Sequence, residues 1–183
     1  FPNIVPGLAT ILMWGYLLRP GPTGILNMLL SYIGLGPFTW LNNSAMVIPL
    51  IVSVMTWKGA GSTALIYMAG LADINPELYE AATIDGAGVW GRVRHITFPS
   101  LLSLGSTMLI LQIIAVFQIL YEPLVMTNGG PNNASISLMQ LVYKYAFDRY
   151  EYPKAAAVSV IVSLILVVLT VIYNKVNKLK ENY

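Results

Sequence analysis

PELYEAATIDGAGVWGRVRHITFP, residues 76–99, runs directly into SLLSLGSTMLILQIIAVFQILY, residues 100–121. The second stretch carries no charge and stops at Glu122-Pro123. At about 1.5 Å rise per residue, a helix of that length crosses a hydrocarbon core of roughly 30 Å. The first stretch belongs to the most charged segment of the chain, Asp73 to Pro99. A short polar hairpin feeding an uncharged helix is the signature of a helical membrane protein with a structured loop between two spans.

Three further apolar blocks extend the pattern. Pro2 to Leu18 is the length of a short span; Pro6 and Gly7 would kink a soluble helix but are tolerated within membrane bundles. Ala45 to Ala72 is apolar except around Lys58 and Gly59-Ala60-Gly61. It fits one long bent helix or two short ones. Lys58 either faces a cavity or another subunit, or marks a break near protein or water. Ala155 to Tyr173 is uncharged, and its unbroken length favours a helix over buried strands. Between the blocks, Ile25 to Ile33 is modestly amphipathic and suits an interface. Thr127 to Pro153 opens with the turn signal Asn128-Gly129-Gly130-Pro131 and resumes as a helix over Leu138 to Phe147.

Composition agrees. Charged residues make 10% of the 183 and hydrophobic ones 56%, against roughly 25% charged in a soluble domain. Net charge is +2, with no basic cluster for nucleic acid. There is no cysteine and one histidine, His95. This excludes disulfides, Cys-ligated metal and a histidine-based catalytic or metal cluster within the chain. Phe1-Pro2-Asn3 has neither initiator Met nor basic leader, so the chain reads as starting inside a longer one. Four spans place residues 73–99 and the C-terminal tail on one side. That side holds Arg92, Arg94, Lys175, Lys178 and Lys180, against Arg19, Lys144, Arg149 and Lys154 opposite. The positive-inside rule then makes the 73–99 loop cytoplasmic by a narrow margin.

Within the hairpin, Asn75 is placed to cap a helix opened by Pro76, with Glu77 in its first turn. Gly86 and Gly88 provide a break or a close-packing point. A second amphipathic stretch follows, and Pro99 opens the next span. Small residues suit docking against another surface, from which force would pass through Pro99; the alternative is an ordinary interfacial loop.

Glu80-Ala81-Ala82, then Gly86, then Ile96-Thr97-Phe98-Pro99 matches the spacing of the EAA loop of binding-protein-dependent ABC importer permeases. The one departure is Phe98 where that pattern has Leu. Ile84-Asp85-Gly86-Ala87 and Met126-Thr127-Asn128-Gly129-Gly130-Pro131 resemble the carbohydrate-uptake branch, similar to the maltose and glycerol-phosphate permeases. Gly24-Ile25-Leu26-Asn27 and Trp40-Leu41 add to the likeness, which covers nearly the whole chain.

The resemblance implies an all-α polytopic membrane protein: residues 1–183 as the C-terminal portion of a type I ABC importer transmembrane domain, with about four spanning helices. It implies a cytoplasmic coupling loop at 73–99, an extracytoplasmic loop at 127–153 and a place in a bacterial or archaeal inner membrane. It implies a non-catalytic subunit with no metal or cofactor of its own. ATP and Mg would be used by two cytoplasmic ATP-binding subunits, in agreement with the lack of a GxxxxGK sequence here. A second permease subunit, in a heterodimer, and an extracytoplasmic solute-binding protein complete the assembly, with a sugar as cargo. A polyol or glycerol phosphate is the alternative cargo, and a non-transporting scaffold or an intramembrane enzyme the alternative class.

Residue by residue, Glu80 would make a polar contact to the ATPase. Ala81 and Ala82 would allow close approach, and Gly86 the sharp turn. Asp85 would cap the second short helix, and Arg92 and Arg94 would pair with acidic groups or keep the interface soluble. For the substrate path, Gln112, Phe117, Gln118 and Tyr121 offer amide and aromatic groups, with Gln118 and Glu122 on one face at i,i+4. They serve equally well as packing contacts between helices. Trp57 and Lys58 are further candidates, and Gly129, Gly130 and Pro131 form the extracytoplasmic loop.

Overall fold

The computed structural model describes residues 2–181, with side chains described through residue 177. Lys178 and Lys180, counted above for topology, lie outside the described side chains. The described residues are helical with turns and hold no strand.

After a short 3-10 turn at Pro2–Ile4, helix α1 spans Gly7–Leu17. Pro6 and Gly7 begin this helix rather than kink it, because a missing N–H costs nothing ahead of the first turn. At about 16 Å, α1 is shorter than the apolar block predicts. Helix α2, Ile25–Ser31, covers the amphipathic stretch. Its Asn27 is buried and serves as a hub. The amide donates to the carbonyls of Gly21 (2.9 Å) and Phe38 (2.8 Å) and accepts from Phe38 N–H (3.0 Å) and Trp40 Nε1–H (2.7 Å).

Helix α3, Val47–Ala72, is single and continuous through Lys58 and the three small residues after it. Lys58 causes no break. Its ammonium lies 2.8 Å from where a Cβ on Gly7 would sit, so it occupies the space that glycine leaves at the start of α1. Leu18, Leu41, Val47, Ile51 and Val54 form the buried core where α1, the Trp40–Asn42 turn and α3 meet.

Helix α4, Pro76–Ile84, and helix α5, Val89–Arg92, form the hairpin. A π turn at Val93–Thr97 joins α5 to helix α6, Phe98–Phe117. The second arm of the hairpin and the span are therefore one helix, Val89–Phe117, 29 residues long. Pro99 stands in the first turn of α6, as expected, but the chain is already wound ahead of it. Proline cannot donate to the His95 carbonyl and its ring crowds that oxygen. The wider π winding just ahead of Pro99 lets the helix continue.

Helix α6 ends at Phe117, earlier than the uncharged run suggests, and helix α7 spans Tyr121–Thr127. Pro123 is the cause: it would leave the Ile119 carbonyl without its α-helical donor. Ser137 Oγ–H supplies that bond instead, at 2.6 Å. Gln118 thus lies in the turn after α6 and Glu122 in α7, so they share no helix face, which corrects the i,i+4 expectation. Helix α8, Leu138–Tyr143, passes into a second π turn at Lys144–Asp148, and helix α9 runs Tyr152–Glu181.

Val89–Phe117 and Tyr152–Asn177 are each long and apolar enough to cross a membrane. Most of their apolar side chains are exposed on this chain, as lipid or another subunit requires. Helix α3 meets α6 closely at Gly70, where a Cβ would lie 2.6 Å from Leu104 Cδ2 and 3.2 Å from Leu101 Cδ2. The two helices that flank the hairpin are stapled together there.

Candidate functional site

The hairpin is built by local chemistry. Asn75 Oδ1 accepts the Glu77 N–H at 3.0 Å, and Pro76 fills the first helical position. The far end of α4 closes in a Schellman arrangement. Ala87 N–H donates to the Ala82 carbonyl at 2.8 Å and Gly86 N–H to Thr83 at 3.1 Å. Gly86 has φ +77°, the left-handed conformation that glycine adopts without penalty. Asp85 is the last, C-capping residue of α4. It does not cap α5, whose N-cap is Gly88 with no side-chain bond. The Asp85-Gly86 pair ends one helix instead of starting the next.

Two side-chain bonds hold the arms together. The Tyr79 hydroxyl and Thr97 Oγ1 are 2.9 Å apart, and Arg92 donates to Thr83 Oγ1 at 3.2 Å. Arg92 is half-buried and braces the hairpin through that one bond. Arg94 is exposed, and so are Glu80 and Ala81; Ala82 is half-buried. Neither Glu80 nor Arg94 has an ion-pair partner among the described residues.

The tip carries what the motif reading passed over. Ile84 is 87% exposed and Trp90 83%, with Val89 close behind. Large apolar side chains held outward on a tightly capped turn mark an interaction surface. The signal was present in the sequence, as apolar residues flanking the Asp-Gly turn.

At the other end of α6, the loop after α7 folds on itself. Asn128 and Gly129 adopt left-handed φ of 50° and 83°. Thr127 Oγ1 and Ser135 Oγ are 2.7 Å apart, and Ser135 Oγ–H donates to the Gly130 carbonyl at 2.6 Å. Gly129 is buried, while Gly130 and Pro131 are half-buried. Ser137 Oγ accepts the Gln140 N–H at 3.0 Å, opening α8. Gln140 is fully buried, yet its carboxamide has no hydrogen-bond partner. A Cβ on Gly129 would meet that carboxamide at 3.2 Å, so the residue packs directly on the turn. The Ser-x-x-Gln spacing signals this helix start, but not the burial.

A cavity of about 360 Å³ lies between this loop, α3 and α6, lined by Ile48, Ile51, Met55, Phe117, Ser135 and Ser137 among others. Of the substrate-path candidates, Phe117 alone is in its wall. Gln112, Gln118 and Tyr121 are exposed on the chain. Trp57 packs edge-on against Trp14, with ring centroids 5.4 Å apart, and Lys58 lies beside Gly7. The six are spread along α3, α6 and α7 and do not converge on one pocket.

Among the described residues, an all-helical fold with two membrane-length helices and a capped hairpin is that of a helical membrane protein. Residues 1–181 match the family described as the binding-protein-dependent transport system inner membrane component, and the chain belongs to that family. It is 31% identical over 183 residues to the diacetylchitobiose uptake system permease protein of Streptomyces coelicolor, covering 98% of this chain and 52% of that protein. It is 33% identical to the trehalose/maltose transport system permease protein of Thermococcus litoralis, covering 99% of this chain and 59% of that one. The chain thus spans about half to three-fifths of the length of these relatives. The fold superposes with a TM-score of 0.87 on a chain in the crystal structure of a bacterial ABC transporter involved in import of the acidic polysaccharide alginate. That match has 24% identity and covers 97% of this chain and 62% of the other. The fold is accordingly the type I ABC importer transmembrane domain.

Proposed function

We propose that this chain forms part of a permease subunit in an ATP-driven, binding-protein-dependent importer of sugars or oligosaccharides. The hairpin carries the reading: a capped turn with Ile84, Val89 and Trp90 outward, on a helix continuous with a membrane span. A push on that tip is delivered along one continuous helix into the membrane, and through the Gly70 contact into α3. The names of the similar proteins favour a carbohydrate cargo over a polyol or glycerol phosphate.

In this account residues 73–99 are cytoplasmic and seat in one of two ATP-binding subunits, each permease of a heterodimer engaging one. ATP and Mg act there, and this chain takes no catalytic part. Residues 127–153 face the solute-binding protein outside. Helices α3, α6 and α9 supply three passes through a bacterial or archaeal inner membrane, and α1, at about 16 Å, supplies part of a fourth. Closure of the ATPases moves the hairpin, and α6 with it, to open the path outward.

The test is co-purification of the ATP-binding subunit with the full-length permease, native and with Trp90→Asp. The expected result is retention with the native sequence and loss with the variant, at unchanged membrane insertion. Equal retention by both would overturn the assignment of the tip.

A further inference from the structure

The reversal between α8 and α9 closes the 127–153 loop, and none of its side chains has a role in the account above, yet it is unusually furnished. Arg149 N–H bonds to the Lys144 carbonyl at 3.0 Å, and Glu151 N–H bonds to Tyr145 at 2.7 Å, folding the chain back within three residues. Tyr150, between them, has φ +56°. Asparagine or glycine takes that conformation more cheaply than an aromatic residue does. Tyr150 is nonetheless 71% exposed, so no packing within this chain explains it. Phe147 and Tyr152 are 63% and 61% exposed beside it in sequence. Strain retained at an exposed aromatic side chain points to a use outside the chain.

The charges single out one cation. Lys154 pairs with Glu151 at 3.0 Å, and Lys144 donates to the Asn128 carbonyl at 3.0 Å. Arg149 packs over the Tyr145 ring, 5.4 Å from its centroid, and has no ion pair among the described residues. Asp148 is the adjacent acid and is not paired with it. The ring orients the guanidinium while leaving its donors free, and that fork fits phosphate.

Position names the occupant. Tyr152 opens the helix whose Ala155 to Tyr173 segment is uncharged, with Val160, Ile161, Leu164 and Val168 exposed. The reversal therefore sits where an apolar, membrane-length surface begins. Aromatic rings and a basic residue at that level match the headgroup region of a bilayer.

We propose that the α8–α9 reversal is a phospholipid headgroup site, in which Arg149 takes the lipid phosphate and Phe147, Tyr150 and Tyr152 lie at the bilayer interface. The proposal rests on the membrane placement of α9 in the reading above.

The full-length complex is reconstituted in nanodiscs of phosphatidylcholine with phosphatidylglycerol, and retained lipid is counted by native mass spectrometry after transfer to mild detergent. Arg149→Gln is expected to lower retained phosphatidylglycerol about fivefold, the effect of one basic residue near an anionic surface. Tyr150→Gly is expected to lower it too, without lowering the melting temperature, since glycine relieves the backbone. Arg19→Gln, which removes another exposed cation, should leave retention unchanged. Equal retention by Arg149→Gln and the native protein overturns the site, as does an equal loss with Arg19→Gln. Unchanged lipid in Arg149→Gln with weakened stimulation by the solute-binding protein would make the surface a protein dock instead. A complex that assembles and hydrolyses ATP but retains no lipid sinks this site alone, whereas failure of the ATP-binding subunit to co-purify strikes the functional reading.

Discussion

Gly86→Val isolates the backbone of the hairpin turn. Gly86 has φ +77°, and nothing lies within 4 Å of where its Cβ would be. The free chain has room for the added side chain, so the cost is conformational. A residue bearing Cβ in the left-handed region is destabilised by about 1–2 kcal/mol, and β-branching moves valine to the upper end. The turn can escape by unwinding the Schellman bonds from Ala87 to Ala82 and Gly86 to Thr83. If coupling needs the wound turn, that cost lowers the ratio of wound to unwound turns by roughly 5- to 30-fold. The assay is ATP hydrolysis by the reconstituted complex with its solute-binding protein, native against Gly86→Val and Gly86→Asn. Asparagine tolerates the left-handed region, so it should restore most of the loss. Native activity in the valine variant would refute the requirement for this turn. Equal damage by asparagine and valine would refute the backbone argument and locate the defect in contact with a partner.

Other positions give independent checks. Gly70→Leu should separate α3 from α6 at Leu101 and Leu104 and cost about 1–3 kcal/mol. It should lower the melting temperature in detergent, while Gly59→Leu, with open space at its Cβ, should not. Asn27→Leu should strand the indole N–H of Trp40 and the amide N–H of Phe38, costing about 3 kcal/mol or more. A melting temperature within a degree of native would contradict the hub. Glu80→Lys should weaken attachment of the ATP-binding subunit with membrane insertion intact, read by co-purification; unchanged solute-stimulated hydrolysis would remove Glu80 from the contact.

The parts of the molecule governed by neighbours in sequence were legible without the structure. Asn75-Pro76 predicts a capped start, and Gly86 the turn, because each acts within one helical turn of itself. Asp85 was misplaced because an Asp-Gly pair suits either a helix end or a start. The choice depended on which carbonyls Gly86 and Ala87 reach. The length of an uncharged run did not reveal where winding stops. The end of α6 at Phe117 comes from Pro123, whose effect falls on a carbonyl earlier in the chain. The bond from Arg92 to Thr83 was not legible because Thr83 lies across the hairpin. Asn27 and Gln140 were invisible, since an amide's burial is set by segments folding over it, not by its own neighbourhood. The intramembrane candidates scattered for a related reason: polar spacing on one helix does not say which groups meet across several.

The central claim is that this chain couples sugar import to ATP hydrolysis on a partner. The most direct measurement is ATP hydrolysis by the full-length complex in lipid, with its solute-binding protein and a panel of mono- and oligosaccharides. The account predicts that one class of sugar stimulates hydrolysis above the sugar-free rate and that Trp90→Asp abolishes the increase. An assembled complex whose hydrolysis no sugar in the panel changes, but which a polyol or glycerol phosphate stimulates, would contradict the sugar assignment. Hydrolysis indifferent to every solute would contradict import itself.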